Sequence, residues 1–393
     1  MNPATEVREG APTRAETAEL DVSVVMPCLN EAGSIAEAVR EARAAIDSAG
    51  YRGEVLVVDN GSTDGSGELA ADAGARVVTE PARGYGNAYR AGLDSARGRY
   101  ILMLDADLTY PVADLPKFIG ALEEGADMVM GDRFEQIQPG VMPFLHRYVG
   151  NPLLTGILNV FFRTGVKDAH CGMRALRRDV LPELDLRTSG MEFASEMVIR
   201  AGKLGLDIRE FPIAYHPREG ESKLSTWSDG WRHLRFLLVH SPTHLFIVPG
   251  AVMSALSVLV IITAVTQIQV LGRDWDIHAM IAGSLGLIVG AQVVGLGLAA
   301  HTYGTYFMGE RDDWFDRARG RFRLNQALIA GALVIGSGVI LAGVVVGIWI
   351  DRGFGQLSEE RLAVLAATLI VVGIQAIFTA FLISILGLRK PDE

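Results

Sequence analysis

The sequence predicts an α/β domain on a mostly parallel sheet with helices on both faces, followed by an interfacial helix and four transmembrane helices. Short β-branched strands alternate with helical stretches from residue 21 to residue 105. Beyond residue 243 the chain is dominated by four long apolar segments. Hydrophobic residues reach 49% and mean hydropathy is +0.26, an excess confined largely to that second half. A length of 393 residues exceeds one ordinary core and implies more than one folding unit.

The elements follow in order. The first twenty residues are polar, contain no apolar stretch of leader type, and are expected to be a disordered tail. The α/β domain is expected over 21–225. "VSVVMP" is a run of the kind buried in a parallel sheet, and "IAEAVREARAAIDSAG" is a helix closed by Gly50. "EVLVVD", "ARVVTE" and "YILMLD" are further strands, separated by helical stretches. Alternating strands and helices give a doubly wound sheet, in which ligands bind beyond the carboxyl ends of the strands. Asn30, Asp59, Asp105 and Asp107 all fall at that edge.

"TWSDGWRHLRFLLVHSP" repeats Trp227, Trp231, Leu234 and Leu238 at helical spacing, with Arg232 and Arg235 among them. It predicts an amphipathic interfacial helix over 226–242. The membrane domain, 243–393, holds apolar segments near Leu245–Leu271, Met280–Met308, Ala327–Ile350 and Leu362–Leu388. Each exceeds the ~20 residues needed to cross a hydrocarbon core. Arg311, Arg317, Arg319, Arg321 and Arg323 lie between the second and third, and Arg389 and Lys390 follow the fourth. The positive-inside rule then puts both termini and the α/β domain in the cytoplasm of a multi-pass integral membrane protein.

A formal net charge of −10 with no dominant basic stripe argues against nucleic acid as a partner. Two cysteines, Cys28 and Cys171, supply neither a disulfide framework nor a zinc spacing. His170 beside Cys171 reads as a packed turn rather than a metal site. The chemistry-bearing signal is the strand "YILMLDADL", which ends in Asp105-Ala106-Asp107. Paired carboxylates without histidine or cysteine offer hard oxygen ligands, suited to Mg²⁺ or Mn²⁺ bridging to phosphates. The alternative for such a pair is a solvated turn ahead of Pro111.

The motif's company settles the preference. "VVMPCLNE", "VVDNGSTDGS", "GYGNAYRAG" and "LDADLTYP", in this order and spacing, resemble the family 2 inverting glycosyltransferases of GT-A (Rossmann-like) fold. The likeness is strongest to the polyprenyl- or dolichyl-phosphate sugar synthases with C-terminal transmembrane helices, and it covers Val22 to Pro242. It implies a sugar nucleotide and a membrane polyprenyl phosphate as partners, and Mg²⁺ or Mn²⁺ as cofactor; a homo-oligomer is left open. It implies that Pro27, Leu29, Asn30 and Glu31 line the nucleotide pocket and that Asp59 and Ser62 contact base or ribose. Gly84 and Asn87 would flank the cleft. Asp105, Ala106 and Asp107 would meet the diphosphate, the two aspartates holding the metal.

Two departures stand out: Tyr85 where many relatives carry Lys, and Thr109 where many carry Gln. "MGDRF" resembles a Gly-Ser-Arg motif with Asp132 for Ser, and gives Arg133 as an acceptor-phosphate contact. "HRYVGN" and "DAHCGMRALRRDVL" give Arg147 and Arg174 the same expectation. Glu192 or Glu196 of "GMEFASEM" would stand where other inverting members keep a base, Glu196 being the one assigned a catalytic role. In "HPREGESKLS", Lys223 would close on the diphosphate and Ser225 would meet the acceptor. The expected activity is hexose transfer, with UDP-glucose preferred over GDP-mannose. A polysaccharide synthase is disfavoured because the chain contains no Arg-Trp pair, and a dinucleotide oxidoreductase because no Gly-x-Gly-x-x-Gly follows the first strand. A non-catalytic membrane protein with a degenerate transferase domain is the third rival, opposed by the intact Asp-x-Asp.

Overall fold

The computed structural model describes residues 20–135, 146–217, 226–269, 272, 275–307, 324–355 and 359–387. The expected tail, apart from Leu20, lies outside them, as do Lys223, Ser225 and the arginine-rich stretch 308–323. The chain divides into two compact units, Met1–Leu234 and Arg235–Glu393.

Among the described residues, the first unit is built on seven strands: β1 (Val22–Cys28), β2 (Gly53–Asp59), β3 (Arg76–Thr79), β4 (Tyr100–Met103), β5 (Met128–Asp132), β6 (Arg174–Arg177) and β7 (Ile208–Pro212). Their order is β3-β2-β1-β4-β6-β5-β7. All pairings are parallel except those of β6, which runs antiparallel to β4 and β5. Sequence reasoning identified β1–β4 but not the insertion of β6 between β4 and β5, because pairing across such sequence distances leaves no local periodicity.

Helices α1 (Ile35–Ser48), α2 (Ser66–Asp72), α3 (Tyr85–Ser95) and α4 (Leu115–Glu123) follow β1 to β4 in turn. Alternate strand residues take opposite faces. Val24, Met26, Val57 and Leu102 pack in one core with Val39 and Ile46 of α1 and Phe118 and Leu122 of α4. On the other face, α3 approaches so closely that a Cβ at Gly92 would lie 2.4 Å from Val25 Cγ1. Helix α5 (Asn151–Phe162) and helix α6 (Phe193–Leu204) complete the layer set. Because β2 and β4 flank β1, the crossovers to either side start from neighbouring strands, and their loops diverge above β1 and β4. In sheets of this kind, ligands bind at such a point.

Helix α7 (Thr226–Val239) forms where the amphipathic pattern predicts it, with Trp231 63% exposed and His233 buried. Among the described residues, the second unit has four helices long and apolar enough to cross a membrane: α8 (Thr243–Thr266), α9 (Ile277–Phe307), α10 (Leu324–Asp351) and α11 (Glu360–Leu386). Each differs by a few residues from the apolar segments, for local reasons. The Asp276 side chain accepts from His278 N at 3.0 Å and so starts α9 before the apolar run, and Gln267 at φ 56° stops α8 short. Small residues set the helix spacing. A Cβ at Gly250 would sit 2.9 Å from Gly290 O of α9, and one at Gly338 2.9 Å from Ala366 O of α11.

Candidate active site

Residues of four loops meet beyond the carboxyl ends of β1, β2, β3 and β4. The β1–α1 and β2–α2 loops are laced together by side chains. Asn30, at φ 54°, accepts from Thr63 N through Oδ1 (2.8 Å), and its own N donates to Ser62 Oγ (3.0 Å). Glu31 N donates to Ser66 Oγ and Ala32 N to Asp64 Oδ2. Asp59 Oδ1 accepts from Ser62 N at 2.9 Å. Pro27, Leu29, Asp59 and Ser62 are half-buried and line this wall. Burial pushes the Cys28 thiol up to about 11, so it offers no thiolate to a metal.

The key residue that sequence reasoning missed is Asn60. It is buried; its Nδ2 donates to Glu80 O (2.9 Å) and Ala82 O (2.8 Å), and its Oδ1 accepts from Gly84 N (2.7 Å). One amide therefore joins the β2–α2 loop to the loop before α3. Its signal lay within the quoted "VVDNGSTDGS", but nothing local says how far the side chain reaches.

Gly84 and Gly86 have a reason beyond flanking a cleft. Gly84 is at φ 142°, and a Cβ there would lie 2.2 Å from Ser189 O; one at Gly86 would lie 2.3 Å from Thr188 O. Gly86 N and Asn87 N both donate to Ser189 O, which satisfies two orphan donors at the start of α3. The α-carbon of Gly84, expected to flank the nucleotide cleft, thus packs against a protein loop. The Asn87 side chain donates to Arg83 O.

At the end of β4, Leu104 N still pairs with Val25 O, and the chain then leaves the sheet. Asp105 Oδ1 accepts from the Tyr85 and Tyr89 hydroxyls at 3.2 and 3.3 Å. Tyr85 therefore braces an acidic residue where many relatives carry lysine. Burial, with Asp105 adding for Tyr85 and Tyr85 adding for Tyr89, holds both phenols well above their usual range, so they stay neutral donors. Asp107 is buried, and its Oδ1 accepts from Thr109 N (3.2 Å) and Thr109 Oγ1 (2.6 Å). Thr109 thus fixes Asp107 in a side-chain turn. Buried Ala106 separates the two carboxylates.

Among the described residues no cluster of three or more His, Cys, Asp or Glu side chains forms a protein-only metal cage. Two carboxylates on short tethers nevertheless fit Mg²⁺ or Mn²⁺, which binds through one or two carboxylates and takes its remaining ligands from phosphates and water. Gly172 packs against Asp105: its N donates to Tyr110 Oη (2.8 Å), and a Cβ there would stand 2.6 Å from Asp105 Oδ2 and 3.0 Å from Tyr110 Oη. Gly172→Ala is expected to displace Asp105 and weaken Mn²⁺ binding by about tenfold, as changes beside metal ligands do. Titration of the variant with Mn²⁺, read by electron paramagnetic resonance, checks it.

The acceptor-side residues divide. Arg133 is buried and makes a bidentate ion pair with Asp168, Nε–Oδ2 at 2.6 Å and Nη2–Oδ1 at 2.8 Å. Its guanidinium lies 5.5 Å from the Tyr215 ring centroid. Burial raises the Asp168 carboxyl, but the Arg133 charge and hydrogen bonds outweigh it and hold the group below its usual range. Burial similarly raises Asp132, whose Oδ1 accepts from Phe134 N. Arg147 lies over Tyr148 at 5.2 Å, on the turn His146–Gly150.

Arg174, expected as an anion contact, has backbone carbonyls as its described partners. It is 1% exposed and donates to Cys171 O, Ala194 O and Ala169 O at 2.7–2.8 Å, so its hydrogen bonds hold the 169–171 loop onto α6. Glu196 is likewise committed. Its carboxylate accepts from Arg187 N, Thr188 N and Thr188 Oγ1, the last at 2.6 Å. These bonds face the carboxylate, for which a catalytic role was expected, toward the 187–188 loop.

His170 and His233 share Ser195 Oγ at 3.3 Å each, with their rings edge to face at 4.9 Å. Burial, then His233, pushes His170 down to about 3. Between pH 6.5 and about 3 the unfolded chain therefore binds a proton that the native chain does not, and stability falls with acidity by roughly 1.4 kcal/mol per pH unit from this group. Denaturant unfolding over that window checks it, with His170→Gln expected to flatten the slope by one proton.

The comparisons with known proteins agree with this architecture. Residues 23–185 match the family described as glycosyl transferase family 2, and residues 298–387 match the glycosyltransferase family 2 C-terminal transmembrane region. The low-salt glycan biosynthesis hexosyltransferase Agl6 of Haloferax volcanii is 42% identical over 368 residues, 93% of this chain and 89% of that protein. A dolichyl-phosphate hexose transferase of the same organism is 35% identical, covering 53% of this chain and 89% of that protein. The undecaprenyl-phosphate 4-deoxy-4-formamido-L-arabinose transferase of Edwardsiella ictaluri is 28% identical, covering 73% of this chain and 89% of that protein. Since the strand-end aspartates, the mostly parallel sheet and the apolar helices all lie within an alignment spanning nearly the whole chain, the protein belongs to the family 2 glycosyltransferases and carries that family's transmembrane region.

Proposed function

We propose that the enzyme transfers a hexose, with inversion, from a sugar nucleotide to a membrane polyprenyl phosphate at the cytoplasmic face, UDP-glucose being the preferred donor and GDP-mannose the next. The observation that carries this reading is the braced carboxylate pair, Asp105 held by two neutral phenols and Asp107 by Thr109, at the open end of the central strands. The polyprenyl-phosphate acceptor is supported by the printed activities of the relatives and by the four apolar helices.

The pocket wall from Pro27 to Glu31, with Asp59 and Ser62, receives the nucleoside. Asp105 and Asp107 hold a divalent cation, which when bound would neutralise charge building on the leaving diphosphate. Lys223, outside the described residues, is assigned to the same oxygens, and Ser225 to the acceptor. A polyprenyl phosphate is already anionic, so its oxygen attacks C1 without a proton being removed, and the reaction requires no general base. Asp168 takes Nε and Nη2 of Arg133, so the acceptor phosphate meets the remaining Nη1 edge, with Arg147 as the second cation.

The test is transfer of radiolabel into the organic phase by the purified protein in lipid with polyprenyl phosphate, offering UDP-glucose and GDP-mannose separately, with Mn²⁺ or with chelator. Chelator-sensitive label from UDP-glucose is the expected result. Label from GDP-mannose alone would replace the donor, and no label from either would overturn the lipid-phosphate reading.

A further inference from the structure

The first turn of α6 is a junction in which four successive residues each hold a different piece of the domain. Phe193 stacks on Tyr89 with ring centroids 5.6 Å apart and planes 5° from parallel, and meets Tyr85 edge-on at 6.5 Å. Ala194 O accepts from Arg174, and Ser195 bridges His170 and His233. Glu196, 4% exposed, gathers the 187–188 backbone through Arg187 N (3.0 Å), Thr188 N (2.9 Å) and Thr188 Oγ1 (2.6 Å).

The gathered loop has one further contact of consequence. Its next carbonyl, Ser189 O, accepts from Gly86 N and Asn87 N at the start of α3. The bare α-carbons of Gly84 and Gly86 are what allow the loop so near. That first turn of α3 presents Tyr85, and the second presents Tyr89, whose hydroxyls both reach Asp105 Oδ1. A chain of direct contacts therefore runs from the Glu196 carboxylate through 187–189 and α3 to the metal-side aspartate.

We propose that Glu196 is a positioning residue for the metal–diphosphate end of the site, acting through the 187–189 loop and the two tyrosines on Asp105. The inference rests on the reading that Asp105 and Asp107 hold the cation. It uses the Glu196 carboxylate as an acceptor for three donors rather than as a proton acceptor, in keeping with an acceptor substrate that arrives already ionised.

The experiment compares Glu196→Ala, Glu196→Gln and Thr188→Val in the full-length protein, measuring binding of Mn²⁺ with UDP, or with GDP if wild type prefers it, alongside turnover. Glu196→Ala is expected to weaken nucleotide–Mn²⁺ binding by about tenfold or more, as loss of outer partners of metal ligands does. Donor KM should rise in parallel while the KM for polyprenyl phosphate stays unchanged. Glu196→Gln keeps a carbonyl acceptor and is expected to stay close to wild type, and Thr188→Val to shift binding in the same direction as alanine, by less. The opposite pattern, a kcat loss of roughly 10²–10⁴ in Glu196→Gln with nucleotide affinity intact, is that of a general base and overturns the proposal. Unchanged nucleotide–Mn²⁺ binding in Glu196→Ala overturns the positioning role alone. Failure of wild type to bind Mn²⁺ with either nucleotide removes the underlying site reading, and the proposal with it.

Discussion

Asp107→Asn is expected to lower hexose transfer by about 10²–10³ without unfolding the protein, the loss typical when one charge-stabilising group is removed from a transition state. Asp107 Oδ1 accepts from Thr109 N and Oγ1, and asparagine retains a carbonyl oxygen at that position. The turn Asp107–Thr109 therefore persists, and what disappears is the negative charge and the hard anionic ligand. The expected signature is a thermal midpoint close to wild type, transfer lost at ordinary Mn²⁺, and partial recovery as Mn²⁺ is raised. Thr109→Val, which removes only the 2.6 Å bond, should fall between the two. Full activity in Asp107→Asn would show that the carboxylate does not serve the diphosphate.

Asp168→Ala is expected to destabilise the domain by roughly 3–5 kcal/mol, the cost of leaving one member of a buried ion pair without its partner. Both carboxylate oxygens of Asp168, which is fully buried, face Arg133, itself 6% exposed. Asp168 also accepts from Arg133 N and His170 N, so its removal strands backbone donors as well. The double variant Arg133→Met with Asp168→Leu should regain the part of the stability lost to the unpaired charge, because two apolar side chains carry none. It should remain inactive with the lipid acceptor, which separates holding the fold from holding the phosphate. Thermal unfolding and the organic-phase assay together read both effects.

The sign of the pH dependence follows from the same pair. The native Asp168 carboxyl titrates below its ordinary 3.8, so its contribution is fully present above that value and is lost only as pH falls beneath it. Of the neighbours Asp168 and His170, only His170 contributes an acid loss of stability above pH 4, its lowered imidazole acting between 6.5 and about 3. The two groups are neighbours in sequence yet act in different pH windows.

Much of the molecule was legible in the residue order. The apolar and β-branched runs of β1 to β4, the helix after each, the amphipathic stretch now α7 and the four apolar spans are all local patterns, and local patterns survive folding. The Asp-x-Asp at the end of β4 was legible for the same reason: hard ligands one residue apart on a strand end share a neighbourhood whatever the rest of the chain does.

What the residue order left open concerns partners far apart in the chain. Arg133 and Asp168, 35 positions apart, become one ion pair because β5 and the 168–172 loop converge. Asn60 joins loops 20 and 22 residues away, and the Ser189 carbonyl caps a helix that starts a hundred residues earlier. Arg174 and Glu196 show the consequence most clearly. As residue types they offer an anion contact and a base. In the fold, three carbonyls surround the one and three loop donors the other, and a buried charge must take such partners. Composition and spacing reveal which chemistry a chain carries; which charged group faces substrate and which braces the frame depends on hydrogen bonds that form only after distant segments have packed.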